Sequence, residues 1–387
     1  MSLWSYANPL RDDRKELCDV LVVCDPHVII FSVKEVAAKD TGRPDVDWER
    51  WARQAVKKSA DQVFGAEREL RRQSHVIRRD GARGLAVPPA ARRQVHRVVV
   101  ALGSEGRVPI AIPRFSGGHV HVLEERSLNV VMNELDTITD FTGYLGAKAQ
   151  FLERTSFVAG NEEDLLAFYL KNGRTFPGEH DVVMLDNGLW NAFSEHEAVR
   201  ARNEANRASR AFDEIITRIM KDAESGTLEP GSDLTKTEEL LRVMAGECRF
   251  NRRVLGSGFM DLMRRAAARE GGLSRMTLSP SGVVYVFLAM PRSVPRLART
   301  EELALRTFVA RGLNPESTTA VGIATEQVDG EAGLSIDACL VRIPTWTEEH
   351  RAKVEGIQRD LGIFVEPELT RWHDDEYPGK AGSGGRD

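Results

Sequence analysis

Two short apolar runs near the start of the chain are rich in β-branched residues. They cover residues 17–24 and 28–35, and the turn-like sequence Asp25-Pro26-His27 separates them. This pattern predicts a β-hairpin. After a loop with Gly and Pro, apolar residues recur every three or four positions from Trp48 to Leu70, which predicts a helix with one buried face. Asp47 is its expected N-cap.

The remaining pattern alternates strands and helices, which is typical of an α/β protein. Residues 78–93, rich in Gly, Pro and Arg, are expected to form a loop, and Ser127 is expected to cap a helix that ends near residue 148. Three strands are predicted before that helix, at residues 95–102, 108–112 and 119–123. Later elements are predicted as helices at 162–172 and 195–224, a strand at 283–290, a helix at 300–311, strands at 319–326 and 334–343, and a helix at 347–361.

These elements predict two domains and a tail. An α/β domain with a central mixed sheet is expected over residues 1–155. An α+β domain is expected over residues 156–372. The polar, Gly-rich residues 373–387 are expected to be disordered.

Composition narrows the classes of protein that fit. Lys and Arg number 53 against 58 Asp and Glu, a net charge of -5, which excludes a simple basic nucleic-acid coat protein. The longest apolar run, residues 283–290, is too short to cross a bilayer, and the first residues lack the apolar stretch of a secretory signal. The four cysteines form no CxxC motif, and Cys18 and Cys24 are expected on one strand, where they could not pair. We therefore expect a cytoplasmic protein without structural zinc or a membrane partner, and its oligomeric state stays open.

The predicted hairpin carries polar residues among its apolar ones. By strand alternation Asp19 shares a face with Leu21, and Ser32 and Lys34 share a face with Ile30. Burying a carboxylate or an ammonium costs several kcal/mol unless the group is paired or binds a metal. Two interpretations follow: an ordinary ion pair between Asp19 and Lys34 at a sheet edge, or a chemical site.

The segments KELCDVLVV and VIIFSVKE resemble the metal-binding core of the PD-(D/E)xK, or restriction-endonuclease-like, superfamily, in its nuclease-related-domain form. The resemblance covers about 20 residues strictly. It implies a restriction-endonuclease-like fold for residues 1–155, with Asp19 as a ligand of a divalent cation and Lys34 as the catalytic lysine. The implied cofactor is Mg²⁺, with Mn²⁺ as an alternative, and the implied substrate is DNA, with RNA not excluded.

The sequence departs from the family pattern at Ser32, where an acidic residue is usual. A hydroxyl is a poor Mg²⁺ ligand, so Ser32 would at most hydrogen-bond a water ligand. Glu49, on the predicted helix, or Glu16, three residues before Asp19, would then supply the second carboxylate as a metal ligand and catalytic residue. The helix also carries Gln54 and Gln62, and some nucleases of this superfamily place a Gln near the metal.

Charge is distributed unevenly along the chain. Between Arg50 and Arg97 there are 13 Lys and Arg against 4 Asp and Glu, which suits a polyanionic partner. The expected nucleic-acid contacts are Arg71, Arg72, Arg78 and Arg79. A second arginine cluster is expected to be a solvated surface, with an extended nucleic-acid track or a contact with an acidic partner as alternatives; its members are Arg249, Arg252, Arg253, Arg264, Arg265 and Arg269.

The sequence thus favours a metal-dependent nuclease-like protein that hydrolyses phosphodiester bonds, with a role in genome defence or repair. One alternative is a catalytically inactive module of the same fold that binds nucleic acid or a protein. Another is a scaffold in which the hairpin ion pair is purely architectural. No role is predicted for residues 156–387.

Overall fold

The protein has an α/β fold with mixed sheets, seen in a computed structural model. Contacts divide the chain into two compact units, residues 1–196 and 197–387. The predicted domain boundary at residue 155 lies within the first unit. The structure describes residues 3–37, 41–104, 108, 115, 117–155, 157–178, 182–225, 234–327, 335–365 and 375–378. Most of the predicted strand at 108–112 and most of the predicted disordered tail lie outside these residues.

A five-stranded mixed sheet forms the centre of unit 1. Its spatial order is β1-β2-β3-β6-β7; β1, β2 and β3 are antiparallel neighbours, whereas β3, β6 and β7 run parallel. The predicted hairpin is therefore confirmed as β2 and β3, joined through a cis Asp25-Pro26 peptide. These strands are β1 (Ser5–Ala7), β2 (Val20–Cys24), β3 (His27–Glu35), β6 (Gln94–Leu102) and β7 (His121–Leu123).

One face of this sheet is covered by the predicted long helix. It runs as α1 (Pro44–Ala52), a π-helical turn at Arg53–Lys57, and α2 (Lys58–Leu70). The expected N-cap was wrong: Pro44 occupies the first turn, where proline's missing N–H costs nothing. Asp47 lies inside α1, and its carboxylate accepts hydrogen bonds from the backbone and hydroxyl of Thr41.

The other face of the sheet is covered by two helices, α3 (Glu125–Glu134) and α4 (Ile138–Arg154). The single helix predicted from Ser127 was therefore wrong in its start and its continuity. Ser127 is buried inside α3 and its hydroxyl donates to Glu163. The chain breaks because Thr137 adopts extended backbone and caps α4 through the Asp140 N–H.

The prediction of a loop over residues 78–93 was wrong in part, because this segment supplies the turn and the second strand of a small hairpin, β4 (His75–Ile77) and β5 (Arg83–Ala86). Its turn is held by two backbone hydrogen bonds and by Asp80, which accepts the Ala82 N–H. Gly81 has a φ of +83°, which favours glycine. The rest of unit 1 contains β8 (Phe157–Ala159), α5 (Glu162–Lys171), β9 (Val182–Met184) and α6 (Leu189–Ser194).

Unit 2 is built on a four-stranded mixed sheet, β10-β11-β12-β13, with β11 and β12 parallel and the outer pairs antiparallel. The predicted strand-helix-strand-strand-helix order is confirmed, and β10 was not predicted. The strands are β10 (Leu273–Leu278), β11 (Val284–Met290), β12 (Thr319–Glu326) and β13 (Ile336–Arg342). The helices are α7 (Glu197–Ala205), α8 (Ser209–Glu224), α9 (Leu234–Ala245), α10 (Arg249–Ala267), α11 (Arg296–Leu313) and α12 (Glu348–Leu361).

The prediction of a solvated second arginine cluster was wrong for two of its members. Arg252 and Arg253 are buried. Arg252 binds the carboxylate of Asp213 and two backbone carbonyls. Arg253 donates to the carbonyls of Asp375 and Glu376. Guanidinium groups with this many acceptors are tolerated in a protein interior.

The prediction that Cys18 and Cys24 lie on one strand was wrong, because Cys18 lies before β2, which holds Cys24. All four cysteines are free. Within the described residues, no helix is both long and apolar enough to cross a membrane.

Candidate functional site

A cleft of about 350 Å³ opens between the start of β2, the end of β3 and helix α2. It contains most of the polar residues that the hairpin pattern singled out, together with two arginines from flanking segments. The lining residues are Arg11, Glu16, Leu17, Cys18, Asp19, Ser32, Gln62, Gly65, Ala66, Arg68 and Glu69.

Asp19 is fixed in this cleft by the register of the hairpin. Val20 pairs with Phe31 in the antiparallel ladder, so Asp19 lies opposite Ser32. Its Oδ2 atom accepts the Val33 N–H at 2.7 Å, and its own carbonyl accepts the Asn8 N–H at 2.9 Å. Among the described residues Oδ1 has no donor, so one carboxylate oxygen is anchored and the other is available to a ligand.

Ser32 is 1% exposed and faces α2 rather than solvent. Its hydroxyl donates to Oε1 of Gln62 at 2.9 Å. The serine therefore orients an amide at the cleft instead of replacing the carboxylate usual in the resembled family. Gln54, the other glutamine considered, is exposed and does not line the cleft.

Glu16 reaches the cleft from a short loop that folds back on itself. The loop is closed by an isolated bridge between Leu10 and Glu16 and by a hydrogen bond from the Leu17 N–H to the Pro9 carbonyl. Burial raises the pKa of the Cys18 thiol, and the charges of Asp19 and Glu16 raise it further. The thiol therefore stays neutral.

Two arginines add positive charge to the acidic cleft. Arg11 is held by carboxylates, with Nη2 at 3.4 Å from Asp13 and 3.6 Å from Glu69. Its Nε atom is buried and has no hydrogen-bond partner in the described part of the chain. Arg68 projects from α2 and is exposed. The cleft thus combines carboxylates with guanidinium groups that can bind an anion.

Two predicted site residues do not line this cleft. Lys34 is two positions beyond Ser32 on the same strand face, about 6.6 Å further along the strand, and is half-buried. Glu49 is exposed on α1. Lys34 and Asp19 are both described, and they form no ion pair; the architectural ion pair predicted as an alternative was therefore wrong.

The four arginines predicted to contact nucleic acid are all exposed. Arg71 and Arg72 follow the end of α2, and Arg78 and Arg79 lie on the β4–β5 turn. Arg71 contacts Glu67 at 3.2 Å. The other three have no acidic partner within the described ranges.

Sequence reasoning missed Arg11, Arg68 and Glu69 as lining residues. Arg68 and Glu69 lie on the helix already expected to cover the hairpin, so helical spacing from Gln62 could have found them. Arg11 comes from an irregular loop, and no sequence pattern places it. Within the described residues no three His, Cys, Asp or Glu side chains gather closely enough to hold a metal by themselves.

No family model matches this chain, and neither the curated proteins nor the solved structures that were searched include a match to it.

Proposed function

We propose that unit 1 is a Mg²⁺-dependent phosphodiester hydrolase that acts on DNA. The observation that carries this proposal is the composition of one cleft. Asp19 and Glu16 contribute carboxylates to it, Ser32 and Gln62 contribute a hydroxyl and an amide, and Arg11 and Arg68 contribute positive charge. The resemblance of the β2–β3 segments to the PD-(D/E)xK superfamily points to the same chemistry.

The acidic residues fit a magnesium ion better than a zinc ion. Carboxylate oxygens are hard ligands, and Mg²⁺ is often held by one or two carboxylates while keeping several waters. Asp19 would bind it through Oδ1, because Oδ2 already accepts the Val33 N–H. Glu16 would supply the second carboxylate. When bound, such a cation neutralises developing charge and lowers the pKa of a water ligand.

The remaining groups of the cleft would orient the phosphodiester. Arg11 and Arg68 would bind its non-bridging oxygens, as guanidinium groups do. Ser32 would hold the Gln62 amide, whose Nε2 can donate to the substrate or to a water. Lys34, two positions beyond Ser32 on the same face of β3, is proposed to reach the nucleophile from outside the residues that line the cleft.

Replacement of Asp19 tests the metal site. We expect Asp19→Asn to abolish Mn²⁺ binding in calorimetry and to reduce Mg²⁺-dependent plasmid cleavage by at least about 100-fold, since metal catalysis supplies several kcal/mol. Glu49→Gln removes one carboxylate outside the cleft and is the matched control. Lys34→Met is expected to lose cleavage and to keep Mn²⁺ affinity. Equal activity of Asp19→Asn and Glu49→Gln would overturn the proposal.

A second candidate is an inactive module of the same fold that binds nucleic acid. Ser32 favours it, because the hydroxyl that stands where an acidic residue is usual is engaged with Gln62. In that case the wild-type protein would bind DNA in a salt-sensitive way and cleave nothing with either Mg²⁺ or Mn²⁺.

A further inference from the structure

We propose that the β4–β5 hairpin is a ribbon that enters a groove of duplex DNA and sets which phosphate reaches the cleft. The inference rests on the proposed function for the identity of the bound polymer. It adds a substrate class, duplex rather than single-stranded, and assigns its recognition to a named element.

Most of the arginines that are available to a ligand in this region lie on the hairpin. Several arginines near the hairpin are engaged within the fold: Arg92 binds Asp25, Arg93 donates to the carbonyls of Pro88 and Leu70, and Arg97 binds Glu67. Four others are exposed and have no acidic partner in the described part of the chain; they are Arg72, Arg78, Arg79 and Arg83. Three of these four lie on the hairpin.

The hairpin also has the shape and rigidity that binding in a groove requires. A two-stranded β-ribbon fits the major groove of B-form DNA, which is about 12 Å wide. The turn that carries Arg78 and Arg79 is fixed by the Arg78 N–H to Ala82 carbonyl hydrogen bond at 2.9 Å. Asp80 accepts a hydrogen bond from the Ala82 N–H at 2.9 Å and so closes the turn. The guanidinium groups are therefore presented from a structured tip.

The hairpin is hydrogen-bonded directly to the wall of the cleft. The Leu10 N–H donates to the Ile77 carbonyl at 2.8 Å, and the adjacent residue, Arg11, lines the cleft. On the other strand, the Leu85 N–H donates to the hydroxyl of Tyr6 at 2.9 Å. The ring of Tyr6 lies so close to Gly84 that a Cβ there would approach within 2.9 Å. Hairpin and cleft thus keep a fixed separation.

The composition of the hairpin and its flanks favours duplex DNA over other nucleic acids. Residues 71–94 contain no Phe, Tyr or Trp, whereas proteins that bind single strands stack bases on aromatic side chains. The major groove of duplex RNA is too deep and narrow for side chains to read. An arginine-rich ribbon without aromatic residues therefore suits duplex DNA.

The test removes the charge of the hairpin without touching the cleft. In a triple variant Arg78, Arg79 and Arg83 are each replaced by Gln. A matched control replaces Arg50, Arg53 and Lys57, which are exposed on the long helix of the same unit, by Gln. Binding of a duplex of about 20 base pairs, about two helical turns, is measured by fluorescence anisotropy over a range of salt concentrations. Single-stranded DNA and duplex RNA of the same sequence are measured in parallel, and hydrolysis of bis(p-nitrophenyl) phosphate reports on the cleft.

We expect the hairpin variant to bind duplex DNA at least about tenfold more weakly than the control, with a log–log salt slope smaller by up to about 2.7, about 0.9 for each lost phosphate contact. Hydrolysis of the small diester should be unchanged. Equal duplex affinity in the two variants would overturn the inference. It would also be overturned if the wild-type protein bound single-stranded DNA as tightly as duplex DNA. Absence of duplex binding at low salt would overturn it too, and is the result expected if the hairpin binds an acidic protein. Duplex binding that depends on the hairpin, without hydrolysis of the small diester or of plasmid DNA, would support this inference and overturn the proposed function.

Discussion

Glu67 lies on α2 between two residues that line the cleft. Its side chain contacts two arginines outside the cleft, Arg97 and Arg71. Oε2 accepts Nε of Arg97 at 2.6 Å, and Oε1 contacts Arg71 at 3.2 Å. Arg97 also lies over the ring of Phe64, 5.2 Å from its centroid. Burial alone would raise the pKa of Glu67, but the hydrogen bonds and charges of Arg97 and Arg71 lower it below its ordinary value of 4.5.

Because the pKa of Glu67 is lower in the folded than in the unfolded chain, its contribution to stability is complete above about pH 4.5 and is lost as the pH falls further. We expect Glu67→Gln to destabilise unit 1 by about 2 kcal/mol near neutral pH, since hydrogen bonds to charged groups contribute on that order. The difference from wild type in urea unfolding should shrink below pH 4.5. A difference that is constant with pH would contradict the assignment.

Individual site residues differ in how far sequence predicts them. Strand alternation gives the shared face of Asp19 and Ser32, because a hairpin register fixes which residues oppose each other. The hydrogen bond between Ser32 and Gln62 joins residues on separate elements, and its length depends on how α2 packs on β3. Arg11 depends on a loop whose course is set by bonds to Glu16 and Ile77, so local pattern cannot place it.

Elements in unit 1 end where side chains compete with the helical backbone. Between α3 and α4, the Thr137 hydroxyl accepts the Asp140 N–H at 3.1 Å and donates to Oδ2 of Asp140 at 2.6 Å. The apolar spacing across this break is compatible with one helix, so periodicity predicted one. The capping residues decide the outcome, because Thr stabilises extended backbone at an N-cap.

Thr137→Ala should lower the free energy of unfolding of unit 1 by about 1–2 kcal/mol, because it removes a buried cap. Thr137→Ser keeps the hydroxyl and should lose less than half as much. Denaturant unfolding of both variants measures the difference. Equal losses in the two would show that the methyl group, not the cap, is what matters.

The buried face of the long helix keeps ordinary helical spacing through the π-helical turn at Arg53–Lys57. Trp51, Ala55, Ser59 and Val63 recur every four residues and are all buried, so periodicity predicted this face correctly. It could not predict the turn itself, because the spacing of the buried residues does not change there.

At the scale of the whole molecule, the two units differ in their buried histidines. Burial lowers the pKa of His96 and His119 to about 4, with smaller contributions from neighbouring positive groups, and lowers those of His27 and His121 as well. All four lie in unit 1. In unit 2 the structure describes one histidine, His350.

These histidines predict that acid destabilises unit 1 before unit 2. The unfolded chain takes up protons below about pH 6.5, whereas the folded chain resists until about pH 4, so stability is complete above 6.5 and falls between these values. Hydrogen exchange resolved by segment should show unit 1 losing protection between pH 7 and pH 5 while unit 2 is unchanged. His121→Leu should reduce the loss. Equal behaviour of the two units would refute the prediction.

Sequence predicted the layered architecture of both units better than their polar interiors. The run that forms β11 is apolar and almost wholly buried, so burial and strand assignment reinforce each other. The buried Arg252 and Arg253 give the opposite signal, because arginine is usually a surface residue. The acceptors of Arg253 include carbonyls over 120 positions away, which no local pattern contains.

The hydrogen bonds of Arg253 have a consequence for how unit 2 is made. Its two Nη atoms donate to the carbonyls of Glu376 and Asp375, and a buried donor without an acceptor costs about 1–3 kcal/mol. A ribosome adds residues in order, so α10 emerges well before these acceptors exist. We therefore expect unit 2 to gain this part of its stability only after residues 375 and 376 have been synthesised, more than 100 residues after α10 itself.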